Sequence, residues 1–331
     1  MRRLVPVVVT MAVALAACGP VEQRRSRPSI PVTRRDVPMP RPGRTEVAGA
    51  YWPAPEGGPK GSIVVAGGFV PSGGGVPTPD VFFFDLGTKR WSKGPDLPAP
   101  RHHAMLAVLR GTLYLAGGFE RDFQTARVEV LALDTRKDPT WDPVASMGTR
   151  RAAGALVAVN GHLLVIGGTD VNAGVGDPKL RTTELYDPTS DAWSPGPQLH
   201  IGRQHTGAAT VGNKVYAVAG RPPNLTSVES LVVKANGPVG GWKTEPSLEF
   251  SRGGNGAAAV AGIPCTAGGE EQAGTIAPIE CLRKGRWRHV ADLGVPRHGL
   301  AVVGVGRRLH VISGGDHPGF AFTTTHEVLA L

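Results

Sequence analysis

The chain lacks most of the short motifs that announce an enzyme. There is no glycine-rich phosphate loop, no GxSxG nucleophile elbow and no HExxH, so nucleotide chemistry, serine-hydrolase chemistry and helix-borne zinc proteolysis lose their usual supports. Cysteine is scarce, at three residues, and none is spaced as CxxC, which removes the common structural zinc sites. Nowhere does a long apolar period of 3.6 residues appear, which excludes a helical domain. Long hydrophobic runs are also missing. The longest, LVPVVVTMAVALAA at 4–17, is fourteen residues and too short to span a bilayer as a helix.

That run has a different reading. It follows the basic head MRR and leads directly into Cys18, the plan of an export signal. The stretch LAAC resembles the lipobox of bacterial lipoproteins, which implies diacylation of Cys18 and a mature chain that begins there; a plain secretory signal cut nearby is the alternative. Gly19 rather than aspartate follows, so no signal for inner-membrane retention is present, and the outer membrane is the expected address if the source has one. Residues 1–17 are thus read as a signal peptide, 18–29 as a lipid-anchored basic tether and 30–331 as one folded domain. Seven arginines crowd into 19–46 against Glu22, Asp36 and Glu46, so much of the +9 formal charge sits beside the anchor, where it would suit anionic headgroups or simply stay solvated. No nucleic-acid partner is expected.

Glycine and proline are abundant, at 46 and 30 residues, and the glycines fall at fixed places. The strings IVVAGGF (63–69), LYLAGGF (113–119), LLVIGGT (163–169), VYAVAGR (215–221), IPCTAGGE (263–270) and LHVISGGD (309–316) each end an apolar run at a glycine pair or its remnant. Tryptophans at 91, 141, 193 and 242 precede the second glycine of the next stop by 27 residues, and Trp287 precedes Gly315 by 28. A period near fifty residues signals a propeller or solenoid. Within each unit, alternation and turn residues predict four short strands, as in 103–109, 112–117, 126–134 and the stretch around Trp141.

The order of arginine with small or histidine residues, an apolar strand, Gly-Gly, a variable loop, a strand ending as in TELYD (183–187), and then tryptophan resembles the Kelch repeat. Six copies imply an all-β, six-bladed propeller of four-stranded antiparallel blades. The last unit ends at a third strand, so IPVTRRDVPMP (30–40) is expected to supply its fourth and close the ring. A monomer is expected.

Functional candidates follow from that topology. An arginine opens each unit, at Arg44, Arg101, Arg151, Arg203, Arg252 and Arg297, joined by His102, His205 and His298. If they ring the channel mouth, they form a positive face for a protein or an acidic glycan; alternatively, each arginine bonds carbonyls of a neighbouring loop. Variable loops such as 70–80 and 170–180 lie on the same face. Cys265 and Cys281 fall on adjacent strands of one hairpin, as a cross-strand disulfide or as two buried thiols. Kelch propellers similar to galactose oxidase hold copper through tyrosines and histidines, but Tyr51, Tyr114, Tyr186 and Tyr216 fit the strand pattern, so no metal or cofactor is expected. Those similar to exported sialic acid mutarotases need an arginine and a carboxylate in the channel, for which Glu46, Glu270 and Glu271 are available; sialidase Asp boxes are missing. A binding or scaffold module is the leading expectation, with a sugar-modifying enzyme acting on an acidic sugar in the channel as the alternative and no catalytic residue assigned.

Overall fold

The computed structural model describes residues 34–330, apart from Pro55, residues 135–138 and residues 172–176. The signal sequence, Cys18, the tether and the middle of the 170–180 loop lie outside the described residues.

Twenty-four strands form six four-stranded antiparallel sheets. Blade 1 contains Ala48–Trp52, Ser62–Ala66, Val81–Asp85 and Arg90–Lys93. Blade 2 runs Met105–Leu109, Thr112–Ala116, Val130–Leu133 and Trp141–Val144, and blade 3 runs Ala155–Val159, His162–Ile166, Thr183–Asp187 and Ala192–Pro195. Blade 4 is Gly207–Val211, Lys214–Val218, Val228–Lys234 and Gly237–Glu245; blade 5 is Gly256–Val260, Ile263–Ala267, Pro278–Arg283 and Arg286–Asp292. Blade 6 joins Ala301–Val305, Arg308–Ile312 and His326–Ala330 to Arg34–Asp36, whose backbone pairs antiparallel with 327–329.

The core is distributed over the seams between blades. Trp52, Val64, Leu113, Leu131 and Trp141 form one apolar cluster between blades 1 and 2. Met39, Ile63, Phe82, Phe84, Ala301 and Ile312 form another where blade 6 meets blade 1. Tryptophans of the fourth strands stitch neighbours together: the indole N–H donates from Trp141 to the Pro95 carbonyl, from Trp193 to Ala145 and from Trp242 to Pro197. Each crosses to the preceding blade, so the indole fills the seam and satisfies its one donor.

The glycine pairs sit on the same seams. At the end of the second strand, the N–H of the second glycine (68, 118, 168, 220, 269 and 314) donates to the carbonyl of the arginine that opens the following unit. The first glycine has positive φ, and a Cβ on Gly167 would lie 2.3 Å from the Arg203 carbonyl oxygen. A side chain there would collide with fixed backbone. This register also corrects the spacing in blade 6. The structural pair is Ser313–Gly314, with Ser313 at φ 60°, and Gly315 is the next residue along, so 27 residues separate Trp287 from its glycine, as they do for the other four tryptophans.

The first strands line a narrow axial channel of about 140 Å³. Ala48, Gly49, Gly207, Ala257 and Ala301 bring the strands into close contact there. Cys265 and Cys281 lie opposite each other on the second and third strands of blade 5 and are joined as a disulfide.

Candidate functional site

The six repeat arginines do not form an open basic face. Their side chains are at most 2 % exposed, and each reaches an acidic residue at or near the start of the third strand of its own blade. Arg44 bonds Asp80 at 2.6 Å, Arg151 bonds Glu184 at 2.6 Å, and Arg203 bonds Glu229 at 2.6 Å. Arg252 bonds Glu280 at 2.5 Å, Arg297 bonds Glu327 at 3.0 Å, and Arg101 bonds Glu129 and Glu120. Further donors go to backbone, as from Arg151 to the Gly167 and Thr182 carbonyls and from Arg252 to Gly268 and Pro278. The acids in turn accept amides of the incoming inter-blade loop: Glu184 from Gly148 and Thr149, Glu229 from His200 and Ile201, and Glu327 from Gly294 and Val295. Desolvation makes an unpaired guanidinium untenable at such depth, so these groups pin loops and are not free to meet a ligand.

What reaches the axis is the residue two positions after each arginine. Glu46, His103, Ala153, His205, Gly254 and Gly299 all have φ between 48° and 69°. Their backbones link head to tail. The His103 N–H donates to Glu46 O, Ala153 to His103, His205 to Ala153, Gly254 to His205 and Gly299 to Gly254, and the Val47 N–H returns to Gly299. A left-handed backbone is natural for glycine, but it costs a non-glycine residue about 1 kcal/mol or more, and such strain persists where something else requires it. Three of the six are polar and one, Ala153, is small.

The polar three converge. His103 Nε2 lies 3.1 Å from Glu46 Oε2 and 3.0 Å from His205 Nε2. On their far sides, His103 Nδ1 is 2.7 Å from His102 Nδ1, and His205 Nδ1 is 2.9 Å from Gln204 Oε1. His298 Nδ1 approaches Glu46 Oε1 at 3.4 Å and Glu270 Oε2 at 3.9 Å, while Arg221 is ion-paired with Glu270. Burial opposes charge on Glu46, but the surrounding imidazoles of His103, His298 and His205 outweigh it and hold the carboxyl well below its usual range. Burial pushes His103 down and His205 well down, favouring neutral rings. His298 goes the other way: burial works against protonation, yet its bond to Glu46 and the charges of Glu46 and Glu270 prevail and raise it. An ionised carboxylate beside two neutral imidazoles and one more basic imidazole is a competent set for proton exchange or for holding a cation.

A cavity of about 340 Å³ opens above this cluster, at the channel mouth. Phe69, Phe123 and Phe320 form its walls; Phe69 meets Phe320 edge-on at 5.0 Å between centroids. Phe320 is half exposed. The insert at 70–80 folds as a small hairpin beside it, with Val76–Pro77 returning on Phe69–Val70 and Gly75 against the Phe320 ring.

Of the sequence candidates, His205 and His298 lie in the pocket, and so do Glu46 and Glu270, offered only for a sugar enzyme. His102 does not; its ring is fully buried against Phe69 and Phe119, with centroids at 4.1 and 5.3 Å. Glu271 accepts from the Ser251 hydroxyl at 3.2 Å. The sequence reading passed over His103, Arg221 and the three phenylalanines. A signal for His103 exists once the repeats are aligned on arginine; Arg221 and the phenylalanines lie outside that column. The column two places on reads Glu, His, Ala, His, Gly, Gly, and glycine in a column marks a left-handed backbone that a polar residue would occupy only at a cost.

A six-bladed ring with a polar, aromatic-walled pocket over a narrow axial channel defines a β-propeller. The repeats assign it further: the chain is a Kelch-repeat β-propeller, with a Kelch motif matched over residues 150–200. Alpha-scruin of Limulus polyphemus is 30 % identical over 224 residues, covering 65 % of this chain and 23 % of that protein. Kelch-like protein terF of Aspergillus terreus is 27 % identical over 278 residues, covering 79 % and 60 %. The chain therefore spans from about a quarter to less than two thirds of the length of these relatives. The solved structure of YjhT superposes with a TM-score of 0.72 at 17 % identity, over 87 % of this chain and 95 % of that one, which is a likeness of fold.

Proposed function

We propose that the protein is an exported, envelope-anchored Kelch propeller that binds a protein partner through the pocket at the channel mouth. The observation that carries this is the pocket's make-up: three phenylalanines around a floor of Glu46, Glu270 and three imidazoles. Phenylalanine is enriched in the buried cores of protein interfaces, and aromatic walls that exclude water around a few polar groups suit such a core. With the repeat arginines internal, the one guanidinium in the pocket, Arg221, is already paired with Glu270, so a basic or hydroxyl-bearing side chain of the partner suits the floor better than an acidic glycan does. Export is supported by the N-terminal signal and by the Cys265–Cys281 bond, which persists in oxidising compartments; anchoring rests on Cys18. Replacing Cys18 with alanine should release the protein from the membrane fraction.

The docking test immobilises the protein and exposes it to detergent-solubilised envelope extract, comparing the wild type with Phe320→Ser and Glu270→Gln. A partner identified by mass spectrometry, retained by the wild type and weakened at least ~10-fold by either change, supports the reading. Retention that ignores both changes rejects it.

A sugar-modifying activity is the second reading, favoured by the two carboxylates bridged by His298. The channel is too narrow for a sugar, so the mouth would be its seat. Anomer exchange followed by NMR, abolished by Glu46→Gln, would establish it in place of docking.

A further inference from the structure

We propose that Glu46, His103 and His205 form a three-ligand site for a divalent first-row transition ion, zinc by donor type, with the remaining coordination position open to the pocket. The site goes beyond the docking reading and is tested without any partner, so either can fail alone.

Geometry carries it. The three donor atoms lie within 4.8 Å of one another. With bonds of about 2.0–2.1 Å, donors around a tetrahedral zinc sit roughly 3.3 Å apart; the two separations from His103 Nε2, 3.1 and 3.0 Å, need open by only a few tenths of an ångström, and the Glu46–His205 pair lies within 4.8 Å. Two imidazoles and a carboxylate with an unfilled fourth position is the ligand set of zinc sites that keep a place for water or an incoming group.

The second layer of contacts points the same way. Gln204 Oε1 accepts the Nδ1–H of His205, which leaves Nε2 as a lone pair aimed at His103 Nε2. For His103 to ligate, its proton must sit on Nδ1, and His102 Nδ1 stands 2.7 Å away to accept it. Glu46 faces the cluster with Oε2, while Oε1 turns to His298. Such outer contacts fix the tautomer and the ring plane of metal-binding histidines.

Backbone supplies a third line of support. The three donors occupy left-handed positions on one hydrogen-bonded ring, so their Cα positions are set before any ion arrives. Ala153, Gly254 and Gly299 take the other three places and add no donor; Gly299 lets the Glu46 carboxylate pack over it, where a Cβ would lie 2.6 Å from Oε1, and the cavity opens over the three donors. Preorganised donors with an open flank fit an ion that must also meet an external ligand.

The test is titration of the untagged, metal-stripped full chain with Co²⁺ and with Zn²⁺. We expect one equivalent of cobalt with visible bands of four-coordinate strength, displaced by zinc and unaffected by excess Mg²⁺ or Ca²⁺, which prefer all-oxygen sites. Glu46→Gln and His205→Asn, checked for native circular dichroism, should each weaken binding beyond the roughly 10- to 100-fold that loss of an outer-shell partner costs; His200→Asn, on an exposed imidazole elsewhere, should not. A weak six-coordinate cobalt spectrum, the absence of saturable one-to-one binding, or affinity unchanged in both ligand variants would overturn the site. The wild-type spectrum decides the matter even if a variant fails to fold.

Discussion

Arg252 and Glu280 are both wholly buried and bonded to each other, with the second guanidinium nitrogen spent on two carbonyls. An ion pair at that depth contributes little net stability when intact, because desolvation offsets the attraction, but losing one partner strands a charge. Arg252→Met alone should therefore lower the unfolding free energy by about 3–5 kcal/mol, whereas Arg252→Met with Glu280→Leu should recover most of the loss; denaturant unfolding of the three proteins measures it. The arginines were legible in the sequence as a repeated mark, but their burial was not. Each partner acid lies a variable distance along the chain, 26 residues from Arg203 to Glu229 and 36 from Arg44 to Asp80, because the intervening loops differ in length. Only the third-strand alignment, as in TELYD, VESL, IECL and HEVL, brings the glutamates into one column.

Among strands, the second and third of blade 6 carry an unusual pair. His310 Nδ1 and His326 Nε2 are 2.9 Å apart, and His326 packs edge-on against Phe84 of blade 1, in the closing seam. Burial, with the nearby charges of Lys89 and Arg308, pushes His310 down to about 4; burial, with His310, Arg297 and Lys89, pushes His326 down to about 3. The sign follows from proton counting. Below pH ~6.5 the unfolded chain protonates these rings while the folded one does not, so stability should fall as pH drops from about 6.5 towards 4 and be flat above neutrality, by up to about 1.4 kcal/mol per pH unit for each ring. Comparing pH 7.5 with pH 4.5, the double variant His310→Leu, His326→Leu should lose less stability than the wild type; equal losses would assign the acid sensitivity elsewhere. The strands themselves were readable, because alternation, glycine and tryptophan recur in nearly fixed register. What alternation cannot show is which polar residues lie inside a seam, since histidine at a strand position reads as either face.

For the molecule as a whole, the segment before blade 1 matters most. Backbone pairing at 34–36, the bonds from Val37 and Met39 to the His326 and Thr324 carbonyls, and burial of Met39 in the seam between blades 6 and 1 tie this segment to the third strand of blade 6. A chain beginning at residue 28 should unfold at the same midpoint as the full-length protein, whereas one beginning at residue 43 should lose at least the ~2 kcal/mol of Met39 burial and expose a strand edge prone to association; thermal unfolding with light scattering distinguishes them. The ring around the axis carries a different kind of information. Each blade places one residue on it, outside both the sheets and the seams, so the propeller holds a six-letter word, at present Glu-His-Ala-His-Gly-Gly. Each letter carries its own constraint, a left-handed backbone at every place and at Gly299 a Glu46 oxygen 2.6 Å from any Cβ, so one architecture can be respelled for a new ligand, a single blade at a time, only where the new side chain finds room.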